Sequence, residues 1–204
     1  MEVKTLNSSR NKTSPVFFEN KDFRQAIDLV VVENLKVLEQ VKFFSVIQLA
    51  QSILNCNRVF VVGEGRSGLA IQMAAMRLMH LGLEVHVVGE VTAPSIEPGD
   101  LLIAGSGSGN THGVVDIAQA AKKIGVTIAA ITTNKNSPLG ELAEIVIQIE
   151  AASKQSNNHL HSKQFAGSLF EQSTLLLFDA LFYLLAQHLH KSDEVLMAKH
   201  TNLE

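Results

Sequence analysis

Two glycine-rich turns carry the residues best suited to hold an anion. The first, GEGRSG (63–68), has glycines at 63, 65 and 68 and places Arg66 and Ser67 together at the predicted start of a helix. It satisfies the G-x-G-x-x-G dinucleotide fingerprint, and Glu90 lies 22 residues beyond Gly68, where a ribose-binding acid would fall. The same glycines are also what any tight strand-to-helix turn requires, with no ligand implied. The second turn, GSGSGNT (105–111), gathers the hydroxyls of Ser106, Ser108 and Thr111 around Gly107 and Gly109, with Asn110 beside them. A helix opening near Asn110 would add backbone N–H donors and a favourable dipole. Many neutral donors with local positive potential suit a phosphate monoester. The turn lacks the lysine of a P-loop, which disfavours nucleoside triphosphate hydrolysis. A dinucleotide would use one such turn, whereas two serine-bearing turns point to a phosphorylated small molecule.

The elements that must position these turns are legible as alternating patterns. Short apolar runs at VFVV (59–62), EVHVV (84–88), LLIA (101–104), TIAAIT (127–132) and EIVIQI (144–149) read as strands. Helical stretches near 68–81 and 110–124 and a turn near 137–143 separate them. Strands apolar on both faces and alternating with helices predict an α/β fold, a doubly wound five-stranded parallel sheet flanked by helices. Its ligands would sit at the carboxyl ends of the strands, where both glycine-rich turns fall.

Residues 1–20 are polar and read as a flexible arm, and 21–204 as a single domain. Within it, 21–57 are N-terminal helices, 58–150 the parallel sheet core and 167–204 C-terminal helices, joined by a polar loop over 153–167. In the first helix Ile27, Val30, Val31, Leu35, Leu38 and Val41 form an amphipathic stripe; a second spans about Phe44 to Leu54. The long helix from Ser168 to about His190 is apolar on nearly every face. A sheet can cover only one stripe of it, which predicts a homo-oligomer whose interface uses this helix and the first one.

Composition narrows the classes further. The chain of 204 residues carries 17 Lys+Arg against 20 Asp+Glu, has no Trp and one Tyr, and so lacks the cationic surface and stacking platforms of nucleic-acid binders. A single cysteine, Cys56, excludes an internal disulfide or a Cys-rich zinc module. His159 with His161 and His188 with His190 lack companion ligands in metal spacing, so no metal is expected. Asp179 interrupts the longest apolar stretch, short of the roughly 18 residues of a membrane span, and the N-terminus has no signal-peptide core. The expected place is the cytoplasm, with no membrane or nucleic-acid partner.

The second turn, with Ser67 in the first, resembles the sugar isomerase (SIS) family, and within it the 6-phospho-3-hexuloisomerases. GRSG (65–68), AMRLMHLG (75–82), VVGE (87–90), GDLLI (99–103), GSLFEQ (167–172) and HTNLE (200–204) carry the likeness, over about 25–204. Glu64, His112 and Thr201 depart from the family's pattern. The resemblance implies a SIS-like fold with flavodoxin-like strand order, and a tetramer. It also implies interconversion of D-arabino-hex-3-ulose 6-phosphate and D-fructose 6-phosphate through a cis-enediol, without metal or redox cofactor. Glu171 of GSLFEQ would be the base, although Ser168-Leu-Phe-Glu171 also spells a capping box, S-x-x-E. His200 would be the acid or proton shuttle, reaching a neighbouring subunit's site. Arg66, Ser67, Ser106, Gly107, Ser108, Gly109, Asn110 and Thr111 would bind the sugar phosphate. A sugar-phosphate-sensing SIS module and another SIS isomerase, such as a phosphoheptose isomerase, are the alternatives. A nicotinamide-dependent oxidoreductase rests on GEGRSG alone.

Overall fold

A computed structural model describes residues 19–151 and 162–203. The expected arm therefore lies outside the described residues up to 18, as do most of the polar loop and both His159 and His161. Five strands, β1 (Val59–Gly63), β2 (Val85–Val87), β3 (Leu101–Gly105), β4 (Thr127–Thr132) and β5 (Ile145–Gln148), form one sheet in the order β2-β1-β3-β4-β5. Every pairing is parallel. This is the flavodoxin-like order.

Alternation along the strands divides the interior into two cores. Val59, Val61, Leu101, Ile103, Ala129 and Ile131 face one side, while Phe60, Val62, Leu102, Ala104, Ile128 and Ala130 face the other. The first side is covered by α2 (Phe43–Asn55), α3 (Gly65–His80) and α6 (Ser168–His188), with the end of α1 (Asn20–Glu39). The second is covered by α4 (His112–Ile124) and α5 (Pro138–Leu142). A short α7 (Asp193–Met197) follows α6. Because α3 leaves β1 toward one face and α4 leaves β3 toward the other, the winding reverses between these adjacent strands. The crevice at their carboxyl ends is the place where such sheets take ligands.

Two helices bear on these expectations. The apolar stripe of α1 does not seal against the body: Ile27, Val30, Val31 and Leu35 are exposed, and Asn34 and Val37 are buried instead. The helix meets the body through its second half, where Glu33 takes hydrogen bonds from Ser162, Lys163 and Gln164. Helix α6 is the one described helix long and apolar enough to cross a membrane, yet 56% of that stretch is buried in the fold. It is a core helix, with Leu176, Tyr183 and Leu184 left outward.

Candidate active site

The serine-rich turn is braced from within. Ser106, buried at the end of β3, has its Oγ 2.8 Å from Thr111 Oγ1 and accepts the Gly109 N–H at 3.1 Å. Gly109 adopts φ 66°, which closes the turn without steric cost. The Gly107 carbonyl takes Thr133 N–H at 3.0 Å and Thr133 Oγ1–H at 2.8 Å, tying the turn to the end of β4. Of the three hydroxyls, that of buried Ser106 serves the turn itself. Ser108, Asn110 and Thr111 stay accessible, with Ser108 Oγ accepting from Asn110 N–H at 3.2 Å. Thr111 is the N-cap of α4 but makes no side-chain cap, so its side chain leaves the leading N–H groups of that helix uncapped.

The first turn owes its glycines mainly to packing. A Cβ on Gly68 would lie 2.5 Å from the Gly63 carbonyl oxygen, so the start of α3 rests directly on the end of β1. That contact sets Arg66 and buried Ser67 at the head of α3. Glu90 does not join them. It lines a separate apolar cleft of about 280 Å³ with Phe60, Leu102 and Ile117 on the α4 face.

Glu171 overturns the capping-box expectation. The N-cap of α6 is Gly167, with no side-chain cap, because the helix starts one residue early, with Glu171 N–H bonded to the Gly167 carbonyl. The Glu171 carboxylate is buried at 4% exposure and forms an ion pair with Arg66 across the α3–α6 contact. The neighbouring Phe170 ring covers Gly107, where a Cβ would come within 3.2 Å of it. The head of α6 thus touches both glycine-rich turns. Arg66, Leu69, Met73, Glu171, Gln172 and Leu175 line a cleft of about 200 Å³ between the helices.

His200 is elsewhere in the same chain. Its ring stacks on that of His80, centroids 5.4 Å apart and planes 14° from parallel. His80 ends α3 and Arg66 begins it, a separation of about 21 Å along the helix axis. One protomer therefore does not bring Glu171 and His200 together. Burial, then Arg77 and His200, push the His80 imidazole below its usual titration range.

Sequence reasoning passed over Asn34. Its amide donates to Gln172 Oε1 at 2.7 Å and its carbonyl accepts from Ser173 Oγ at 2.8 Å, which orients the residue beside Glu171. The available signal was a polar residue inside the apolar run VVVENLKVL (30–38). Cys56 donates to the Ile53 carbonyl, and burial raises its thiol pKa, as befits a packing residue. Among the described residues no three His, Cys, Asp or Glu side chains converge as metal ligands.

A profile of the SIS domain matches residues 52–178, which spans both turns and the head of α6. The chain belongs to the SIS family. Within that family, the 3-hexulose-6-phosphate isomerase of Mycobacterium gastri is 53% identical over 156 residues, 76% of this chain and 78% of that protein. The 3-hexulose-6-phosphate isomerase of Bacillus subtilis strain 168 is 42% identical, over 77% of this SIS chain and 85% of its own length. A solved structure from Methanococcus jannaschii, for which a 3-hexulose-6-phosphate isomerase function has been inferred, superimposes with a TM-score of 0.77. It is 32% identical, covering 88% of this chain and 99% of that one.

Proposed function

We propose that this SIS chain is a 3-hexulose-6-phosphate isomerase, converting D-arabino-hex-3-ulose 6-phosphate and D-fructose 6-phosphate into one another. The curated relatives of that name, at 53% and 42% identity, support the assignment. The observation that carries the mechanism is the buried Glu171 carboxylate held by Arg66 at the joint between the two glycine-rich turns.

The phosphate is held by Ser67, by the Ser108 and Thr111 hydroxyls, by Asn110 and by backbone N–H groups of the second turn, whose shape Ser106, Gly107 and Gly109 maintain. Anchoring the ester at one end fixes the sugar chain, so binding energy remote from the reacting carbons positions them. Glu171 removes the proton from C2 of the 3-ulose, giving an enediol across C2 and C3, and returns a proton to C3. One carboxylate serves both halves because the proton leaves and returns on the same face. Arg66 holds that carboxylate and offsets negative charge on the enediolate oxygens. His200 moves the proton between O2 and O3. The carbonyl migrates within one molecule, so no electrons leave the sugar and the chemistry requires neither a redox cofactor nor a metal.

With His200 about 21 Å along α3 from Arg66, its role needs another copy of the chain. The assembly we propose is a homo-oligomer, a tetramer by family resemblance, of one SIS unit per chain (21–204), acting in the cytoplasm. The outward apolar residues of α1 and α6 are joined by Leu69, Met73 and Met76 of α3 as its contact surface. The test is direct. Purified protein is given hexulose 6-phosphate, and fructose 6-phosphate is followed through phosphoglucose isomerase as glucose 6-phosphate. Turnover is expected; absence of turnover with the substrate shown to bind would overturn the isomerase in favour of a sensor.

A further inference from the structure

We infer that Glu64 sets the affinity of the phosphate seat by lying across its mouth, as an internal anion that the incoming ester must displace. This deepens the reading given above and rests on its placement of the phosphate at the second turn. Glu64 follows β1 and is the N-cap of α3. Its side chain does not cap its own helix but crosses the crevice between β1 and β3 to the opposite layer. There one carboxylate oxygen lies 2.2 Å from where a Cβ on Gly113 would be. Gly113 is the second residue of α4, whose first turn contains no acidic side chain and whose N-cap, Thr111, makes no side-chain cap and shares its hydroxyl with Ser106.

A carboxylate here complements the exposed positive end of α4. A phosphoryl group seated on the same turn would seek the same charge. Glu64 is exposed, so water and salt screen the pair, yet at this range two anions still repel and the ester must turn the carboxylate aside. Glycine at 113 makes the arrangement possible: any side chain there would meet the carboxylate and turn it out toward solvent. Glu64 and Gly113 are thus one device built from two elements. Its effect is to weaken capture of small anions such as inorganic phosphate. A sugar phosphate retains further contacts in the α3–α6 cleft to offset the loss.

The experiment titrates inorganic phosphate, and separately fructose 6-phosphate, into the wild-type chain, Glu64→Gln and Gly113→Ala by calorimetry, with melting temperatures as the folding control. Glu64→Gln is expected to tighten inorganic phosphate about three- to tenfold at low ionic strength, with the gain shrinking as salt is added. Gly113→Ala should tighten it in the same direction while keeping the charge, by displacing it. Unchanged or weaker affinity in a folded Glu64→Gln protein overturns the inference, as does phosphate binding to neither protein. Isomerase turnover is measured on the same samples. A tightened seat without turnover would remove the proposed reaction and leave the Glu64 device standing; turnover with no effect of Glu64 would do the reverse.

Discussion

At residue scale the decisive arrangement is a buried carboxylate whose partner is an exposed guanidinium on another helix. Glu171 lies at 4% exposure while the Arg66 side chain is 66% exposed, so the pair is open on one side only. Such a carboxylate can meet substrate from the Arg66 side without being solvated from behind. Glu171→Gln keeps size and most hydrogen bonding but cannot take a proton. Its turnover number should fall by about 10²–10⁴-fold while fructose 6-phosphate affinity changes little, measured by the coupled assay and by calorimetry. Loss of affinity with turnover retained would contradict the role of base. The spacing alone also allowed the cap, because S-x-x-E cannot reveal that Gly167 is the N-cap and the helix starts one residue early. Arg66 was legible as a candidate; its partner 105 residues away was not, since such pairing exists only after α3 and α6 dock.

At the scale of elements, the strands followed from runs of β-branched residues apolar on both faces, whereas their order came from the family resemblance. Helix starts were read less well: α3 begins at Gly65 and α4 at His112, against expected starts near 68 and 110. The GEGRSG string was ambiguous because tight packing and dinucleotide binding ask for the same glycines. The structure gives the third glycine a packing reason, the contact of α3 with the Gly63 carbonyl. Gly68→Ala should therefore wedge α3 from β1, lowering stability by about 1–3 kcal/mol in urea unfolding and raising KM as Arg66 and Ser67 shift. The far end of α3 offers a second prediction. Burial lowers the His80 pKa, with Arg77 and His200 acting in the same sense. A base whose folded pKa is depressed contributes stability that is present above its unfolded value and lost as pH falls through the folded one. The melting temperature should decline below about pH 6.5, and His80→Phe, which keeps a stacking ring, should flatten that decline. An identical decline in both proteins would assign it to other groups.

For the whole molecule, the exposed apolar residues are the clearest remaining demand. Composition showed that α6 had more apolar surface than one sheet could cover; it did not show that α3 would present Leu69, Met73 and Met76 beside the cleft. A second copy on this face would shield the Arg66–Glu171 pair and bring in a foreign His200. Met76→Glu, at a position 58% exposed in the single chain, should shift light-scattering mass toward smaller species with secondary structure intact, and activity should fall in parallel. Unchanged mass would move the contact off α3.

The helix that bears Glu171 also supplies Leu169, Phe170, Phe178 and Leu181 to the larger core. A chain lacking α6 would keep both glycine-rich turns but lose Glu171, and would leave one flank of the larger core uncovered. Closing that flank and seating Glu171 are therefore a single event. Quality control acting on the first automatically screens for the second.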